Sequence, residues 1–105
     1  MPRYSLSAEL HLADDADSRA PGGAVTQALC GHWDHSGACR WPHFSKIDRL
    51  GSVHHLTIEV SCCEKDFADV LSRIENALRQ GELIGPDNVH SYWRLTLLNK
   101  TPHII

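Results

Sequence analysis

The sequence has no excess of basic residues. It carries 10 lysines and arginines against 13 aspartates and glutamates, which gives a formal net charge of −3 at pH 7. Proteins that bind nucleic acid or anionic membranes through general electrostatics usually show a basic excess. The composition therefore argues against a nucleic-acid partner.

Long apolar runs are also missing. No stretch approaches the roughly 20 residues of a membrane-spanning helix, and Glu9 and His11 stand where a signal peptide would have its apolar centre. The sequence therefore predicts a cytoplasmic protein without membrane contact, whose thiols stay reduced. On that expectation its four cysteines serve as buried thiols, metal ligands or redox groups, and not as structural disulfides.

The chain lacks a glycine-rich phosphate loop, a nucleophile elbow and any other recognised catalytic signature. This lack favours binding over catalysis. What is present is ordinary for one globular domain: 105 residues, of which 42% are apolar and 22% charged. We therefore expect a single domain over residues 1–105.

Alternating apolar and polar residues predict three clear strands, over residues 4–12, 53–60 and 89–98. Residues 43–50 alternate poorly, because Phe44, Ile47 and Leu50 do not share one face. We expect a short or irregular edge strand there, on which mixed charge discourages unwanted pairing.

Helical spacing of apolar residues predicts a short helix from residue 24 to about residue 33, and a longer one over 64–80. Residues 13–23, which end in Pro-Gly-Gly, read as a loop. The resulting order of elements is the ferredoxin-like βαββαβ pattern. Right-handed crossovers would place the first and third strands side by side in a four-stranded antiparallel sheet, with both helices on one face.

The chemically unusual stretch is residues 30–43, which is rich in histidine, cysteine and tryptophan. Thiolates and imidazoles are the ligands that zinc prefers. The spacing does not follow a zinc finger, in which a cysteine pair precedes a histidine pair. The candidate zinc ligands are Cys30, His32, His35, Cys39 and His43.

Two other interpretations of this stretch stay open. In the first, Cys30 is a buried apolar residue, Trp33 and Trp41 close the end of the core, and the histidines lie on the surface. In the second, Trp33, Arg40 and Trp41 bind a small molecule, because aromatic rings beside a cation stack on a ring and contact a phosphate or carboxylate. A disulfide between Cys30 and Cys39 ranks last in a reducing compartment.

The predicted sheet also has a polar face. Glu9 and His11 would lie on it from the first strand, and His55 and Glu59 from the third, within roughly 5.5 Å across the ladder. A histidine beside a glutamate commonly serves as a pair of general acid and base groups in catalysis. The simpler alternative is that these residues form the solvated side of a one-sided sheet.

The leading functional hypothesis is a non-enzymatic binding module, in which residues 30–43 hold zinc or a small-molecule ligand. The alternative is a small enzyme that uses Glu9, His11, His55 and Glu59 as acid–base groups. Edge strands and the apolar C-terminal tail are available for pairing, so the sequence also suggests a homo-oligomer.

Overall fold

A computed structural model describes residues 2–31, 41–85 and 88–104. Within these ranges the chain forms five strands, two α-helices and a 3-10 turn at Glu64–Asp66. The elements are β1 (Arg3–Leu12), α1 (Ala20–Cys30), β2 (His43–Leu50), β3 (Val53–Ser61), α2 (Phe67–Gln80), β4 (Glu82–Ile84) and β5 (His90–Ile104).

The five strands form one antiparallel sheet in the order β2-β3-β1-β5-β4, and the sheet curls into a half-barrel. The predicted four-stranded ferredoxin-like arrangement is therefore wrong. The additional strand is β4, which pairs with β5 from Glu82 opposite Tyr92 to Ile84 opposite His90. Three residues are too few to show an alternating pattern, so the sequence carried no signal for this strand.

The predicted pairing of the first and third strands is confirmed, with Tyr4 opposite Val60 and Glu9 opposite His55. One face of these strands is buried against the helices, and the other face is open. The core is continuous across this covered face. Its buried apolar side chains on β1 and β3 are Tyr4, Leu6, Ala8, Leu10, Leu56, Ile58 and Val60.

The start of α1 differs from its prediction, because the helix begins at Ala20 and not at residue 24. Pro21 lies in the first turn, where a helix needs no N–H from it. The Pro-Gly-Gly sequence therefore opens the helix instead of closing the loop. The helix ends at Cys30, because Gly31 takes the left-handed conformation with φ +80°.

Helix α2 carries a strong apolar stripe, and Val70, Ile74 and Leu78 on it are fully buried. The helix ends at Gly81, which is left-handed with φ +71°. Trp93 of β5 makes two hydrogen bonds to this end of the helix. Its backbone N–H donates to the Gly81 carbonyl at 2.9 Å, and its Nε1 donates to the Leu78 carbonyl at 2.9 Å. These hydrogen bonds fix the C-terminal end of α2 to β5.

Strand β2 is more regular than its sequence suggested. It pairs with β3 along its whole length, from His43 opposite Val60 to Leu50 opposite Val53. Gly51 opens the two-residue turn between these strands with φ +67°. Because β2 is the first strand of the sheet, its side chains are only partly covered, which explains the weak pattern.

Candidate ligand-binding cleft

Most of the predicted zinc and ligand residues lie outside the described residues. These are His32, Trp33, His35, Cys39 and Arg40. The structure describes the two ends of the 30–43 stretch, Cys30 on one side and Trp41 and His43 on the other.

Trp41 is a core residue, with 3% of its surface exposed. The guanidinium carbon of Arg73 lies 5.0 Å from the centre of its ring. Arg73 is itself held by Asp69, through an Nε–Oδ1 distance of 3.1 Å. Trp41 thus occupies the position expected by the packing interpretation, in which it closes the end of the core.

His43 uses both ring nitrogens. Nδ1 lies 3.1 Å from the carbonyl oxygen of Trp41, which only accepts, so Nδ1 carries the proton and donates it. In the neutral ring Nε2 is then an acceptor, and the hydroxyl of Thr26 donates to it at 2.9 Å. This assignment rests on the hydrogen-bond network. It leaves neither nitrogen of neutral His43 ready to ligate a metal.

Cys30 is disulfide-bonded, and its Sγ lies 3.9 Å from His43 Nδ1. Its sulfur is therefore not a thiolate, the form that zinc binds. Cys39, the partner in the interpretation that ranked last from the sequence, lies outside the described residues. A disulfide at Cys30 departs from the expectation of four reduced thiols, whereas Cys62 and Cys63 are free.

Cys30 and His43 as described do not fit a zinc ion. Across residues 2–31, 41–85 and 88–104, no three His, Cys, Asp or Glu side chains are grouped so as to hold a metal. The other three candidate ligands lie outside those ranges, so the zinc site stays a prediction.

A cleft of about 310 Å³ lies beside His43, between the first half of α1 and strand β2. Helix α1 and the segment before it form one wall, and β2 forms the other. Leu56 of β3 lies between them. The lining residues are Ser18, Arg19, Gly22, Thr26, His43, Phe44, Ser45, Ile47 and Leu56.

Ser45 is the unusual side chain of this cleft. Its hydroxyl oxygen is buried and has no hydrogen-bond partner among the described residues. Such a buried group usually costs about 1–3 kcal/mol of stability. The backbone of α1 comes close to it, because a Cβ placed on Gly22 would lie 3.3 Å from Ser45 Cβ. A native structure that leaves this hydroxyl unpaired calls for an explanation.

The charge at the mouth of the cleft is balanced. The guanidinium of Arg19 binds Asp17 through two contacts, Nε–Oδ1 at 3.1 Å and Nη2–Oδ2 at 2.8 Å, and the backbone N–H of Arg19 donates to Oδ1 at 2.9 Å. This hydrogen bonding from Arg19 lowers the pKa of Asp17 to about 2. Arg19 therefore brings no uncompensated positive charge, and recognition in the cleft rests on neutral hydrogen-bonding groups.

A larger groove of about 580 Å³ runs between α1, α2 and β4. Small residues such as Ala24, Ala28 and Ala77 line it together with long polar side chains. Neither of the unpartnered buried atoms found in the described residues, on Ser45 and His54, belongs to its lining. We therefore consider the smaller cleft the better candidate.

The open face of the sheet brings together two of the four predicted catalytic residues. Glu9 is directly opposite His55, and Asp48 of β2 is opposite His55 on its other side. This row is a histidine between two carboxylates. None of the three lines either cleft.

The other two predicted catalytic residues lie elsewhere on this face. Glu59 is opposite Ser5 and forms an ion pair with Arg3, with 3.7 Å between Nη2 and Oε1. His11 is opposite Arg94 of β5. The four residues therefore do not form one constellation, and the enzyme interpretation stays a prediction.

Comparisons with protein-family models, with curated proteins and with solved structures found no match. Within the described residues, no helix has the length and apolar character needed to cross a membrane. The cleft between α1 and β2 is therefore the basis of the functional proposal. Its polar residues Thr26 and Ser45 give no signal in the sequence, because isolated hydroxyl residues belong to no motif.

Proposed function

We propose that this chain is a non-enzymatic binding module that holds one small polar molecule in the cleft between α1 and β2. The buried, unpartnered hydroxyl of Ser45 carries the proposal. A ligand atom that pairs with this hydroxyl would remove the cost of burying it unsatisfied. The cleft volume of about 310 Å³ is at the lower end of the range typical of small-molecule sites.

The lining indicates the class of ligand. Thr26 and His43 form a polar wall, whereas Ile47 and Leu56 supply apolar surface. Because Arg19 is paired with Asp17, a multiply charged ligand gains little from it. We infer a small, neutral or singly charged molecule with hydroxyl or carboxyl oxygens and a short apolar part.

The test is an NMR titration of the isotope-labelled chain with glycerol, acetate, lactate and inorganic phosphate. We expect saturable shifts from acetate or lactate, confined to backbone amides of residues 18–26 and 43–47. In Ser45→Ala, affinity should fall by about tenfold, the equivalent of one good hydrogen bond. Ser5→Ala, on the open face, is the matched control and should bind as the unchanged protein does.

Three results would overturn the proposal. One is the absence of saturable binding by any of the four probes. Another is a set of shifts that maps to the groove between α1 and α2. The third is equal affinity of the unchanged protein and Ser45→Ala.

The same protein also tests the competing zinc prediction. Elemental analysis of untagged, unreduced protein should find clearly less than stoichiometric zinc, because the sulfur of Cys30 is held in a disulfide. Stoichiometric zinc that is lost in His43→Ala would favour the metal site over the small-molecule cleft.

A further inference from the structure

Strand β2 is an edge of the sheet, and among the described residues it pairs with β3 alone. Its two outermost apolar side chains are exposed to solvent, Phe44 by 58% and Leu50 by 62%. Both point to the open face, as do the charged residues Lys46 and Asp48 between them. This edge is longer than β4, the three-residue strand at the opposite edge.

The backbone of β2 is arranged for a second partner. Leu50 and Val53 close the two-residue turn, so they form a hydrogen-bonded pair, and every second residue of β2 bonds to β3. The bond from the Ser61 N–H to the Pro42 carbonyl, 2.9 Å long, continues this alternation. The residues between them, Ser45, Ile47 and Arg49, therefore direct their N–H and C=O groups away from β3.

We propose that two copies of this chain pair through β2, antiparallel, so that one sheet runs across both copies. Ile47 of each copy lies opposite the partner's Ile47 on the two-fold axis. Their outward N–H and C=O groups then bond to each other, as in any antiparallel hydrogen-bonded pair. The inference is independent of the function proposed for the cleft.

The side chains select this register. With Ile47 on the axis, Lys46 lies opposite the partner's Asp48, and Phe44 lies opposite the partner's Leu50. Each of these pairs occurs twice by symmetry. They fall at the positions without backbone hydrogen bonds, where facing side chains are closest. Opposite charges and apolar pairs at such positions stabilise a ladder.

The neighbouring registers are unfavourable. A two-fold axis at Lys46 places Lys46 against the partner's Lys46 and Phe44 against the partner's Asp48. An axis at Asp48 places two aspartates face to face. Like charges directly opposite each other destabilise pairing. The mixed charge of β2 therefore disfavours pairing in other registers and with other strand edges. It is compatible with the register that has Ile47 on the two-fold axis.

The experiment is sedimentation equilibrium of the full chain and a set of charge variants, up to millimolar concentration. We expect the unchanged protein to dimerise. Lys46→Asp places two acidic pairs across the axis, and Asp48→Lys places two basic pairs there, so each variant should dissociate at least about tenfold more readily. The double variant Lys46→Asp/Asp48→Lys restores both opposite-charge pairs and should dimerise as the unchanged protein does.

Two further samples sharpen the result. An equimolar mixture of Lys46→Asp and Asp48→Lys should form a heterodimer, because every facing pair is then of opposite charge. Asp14→Lys makes the same charge change in the loop before α1 and should leave dimerisation unaltered. Amide hydrogen exchange should show concentration-dependent protection at Ser45, Ile47 and Arg49.

The proposal is overturned if the unchanged protein stays monomeric over the whole concentration range. It is also overturned if a dimer forms but both single variants keep its full affinity, because that dimer would use another surface. Failure of the double variant to recover dimerisation, with its fold intact, would likewise exclude the register centred on Ile47.

Discussion

Helices α1 and α2 meet the same face of the sheet, and each ends at a left-handed glycine, yet their surroundings differ. At the end of α2, a Cβ on Gly81 would lie 2.6 Å from the carbonyl oxygen of Trp93. At the end of α1, nothing among the described residues lies within 4 Å of a Cβ on Gly31. Among the described residues, the end of α2 is therefore tightly packed and the end of α1 is not.

The polar groups follow the same division. On the α2 side, the indole N–H of Trp93 and the ammonium of Lys100 both have partners, Leu78 and Glu75. On the α1 side, the cleft contains the unpaired hydroxyl of Ser45. Binding sites commonly lie in the less tightly packed part of a domain, so the comparison places the candidate site between α1 and β2.

The largest expected difference is between the two glycines. Gly81→Ala should lower the free energy of unfolding by roughly 2–5 kcal/mol, because it combines a left-handed alanine with a backbone clash. Gly31→Ala meets only the conformational cost, on the order of 1 kcal/mol. Urea denaturation of both variants measures the difference, and equal losses would contradict the described packing.

Two serines provide a smaller contrast, of opposite sign. Ser45→Ala removes an unpaired buried hydroxyl and should raise the free energy of unfolding by about 1 kcal/mol. Ser91, also buried, accepts a 3.0 Å hydrogen bond from the Asp17 N–H. Ser91→Ala should therefore lower stability by about 1 kcal/mol. A loss of stability in both variants would mean that Ser45 has a partner within the protein.

The smallest effects concern two carboxylates whose pKa is lowered. Arg19→Gln should raise the pKa of Asp17 part of the way from about 2 toward 3.8, because the side chain of Arg19 supplies its main hydrogen bonds while the backbone N–H of residue 19 still donates to it. Lys100→Met should raise the pKa of Glu75 only in part, because Arg79 still donates to it. NMR titration of the side-chain carboxyl carbons measures both.

The sign of the pH dependence follows from these shifts. A carboxyl whose pKa is lower in the folded chain stabilises it above the unfolded pKa, and this stabilisation is lost as pH falls through the folded value. For Asp17 the loss therefore extends from 3.8 down to about 2. Unchanged acid titration of Asp17 in Arg19→Gln would contradict the described ion pair.

Much of the fold was predictable from periodicity. Residues 4–12 and 53–60 alternate strictly, and both are strands with one buried face. The apolar stripe within residues 64–80 is a helix from Phe67, after a 3-10 turn. In each case one face is buried against the core, so selection for apolar residues leaves a regular pattern.

In strand β5, alternation of apolar residues does not predict which side chains share a face. Trp93, Leu95 and Leu97 alternate along the chain, a pattern that predicts one shared face. The ladder with β1 shifts register between Leu95 and Leu97, at the bulged Thr96, so that Leu97 lies opposite Glu9 on the open face. A bulge moves every following side chain to the other face, and nothing in local composition marks it.

Of the residues that line the candidate cleft, the sequence singled out His43 but neither Thr26 nor Ser45. The 30–43 stretch pointed to His43, which does line the cleft. Its partner Thr26 and the unpaired Ser45 come from a helix and an edge strand that approach each other closely at Gly22. Such a juxtaposition arises between elements, so no spacing along the chain encodes it.

The sequence by itself determined the alternating strands β1 and β3 and the amphipathic helix α2, because burial of one face imposes a short repeat. Tertiary structure alone decided that β4 adds a fifth strand and that α1 and β2 enclose a cleft. It also decided that a bulge in β5 turns the side chains after Thr96 to the opposite face of the sheet. These features depend on distances between segments far apart in the chain, where packing and backbone pairing outweigh local preference.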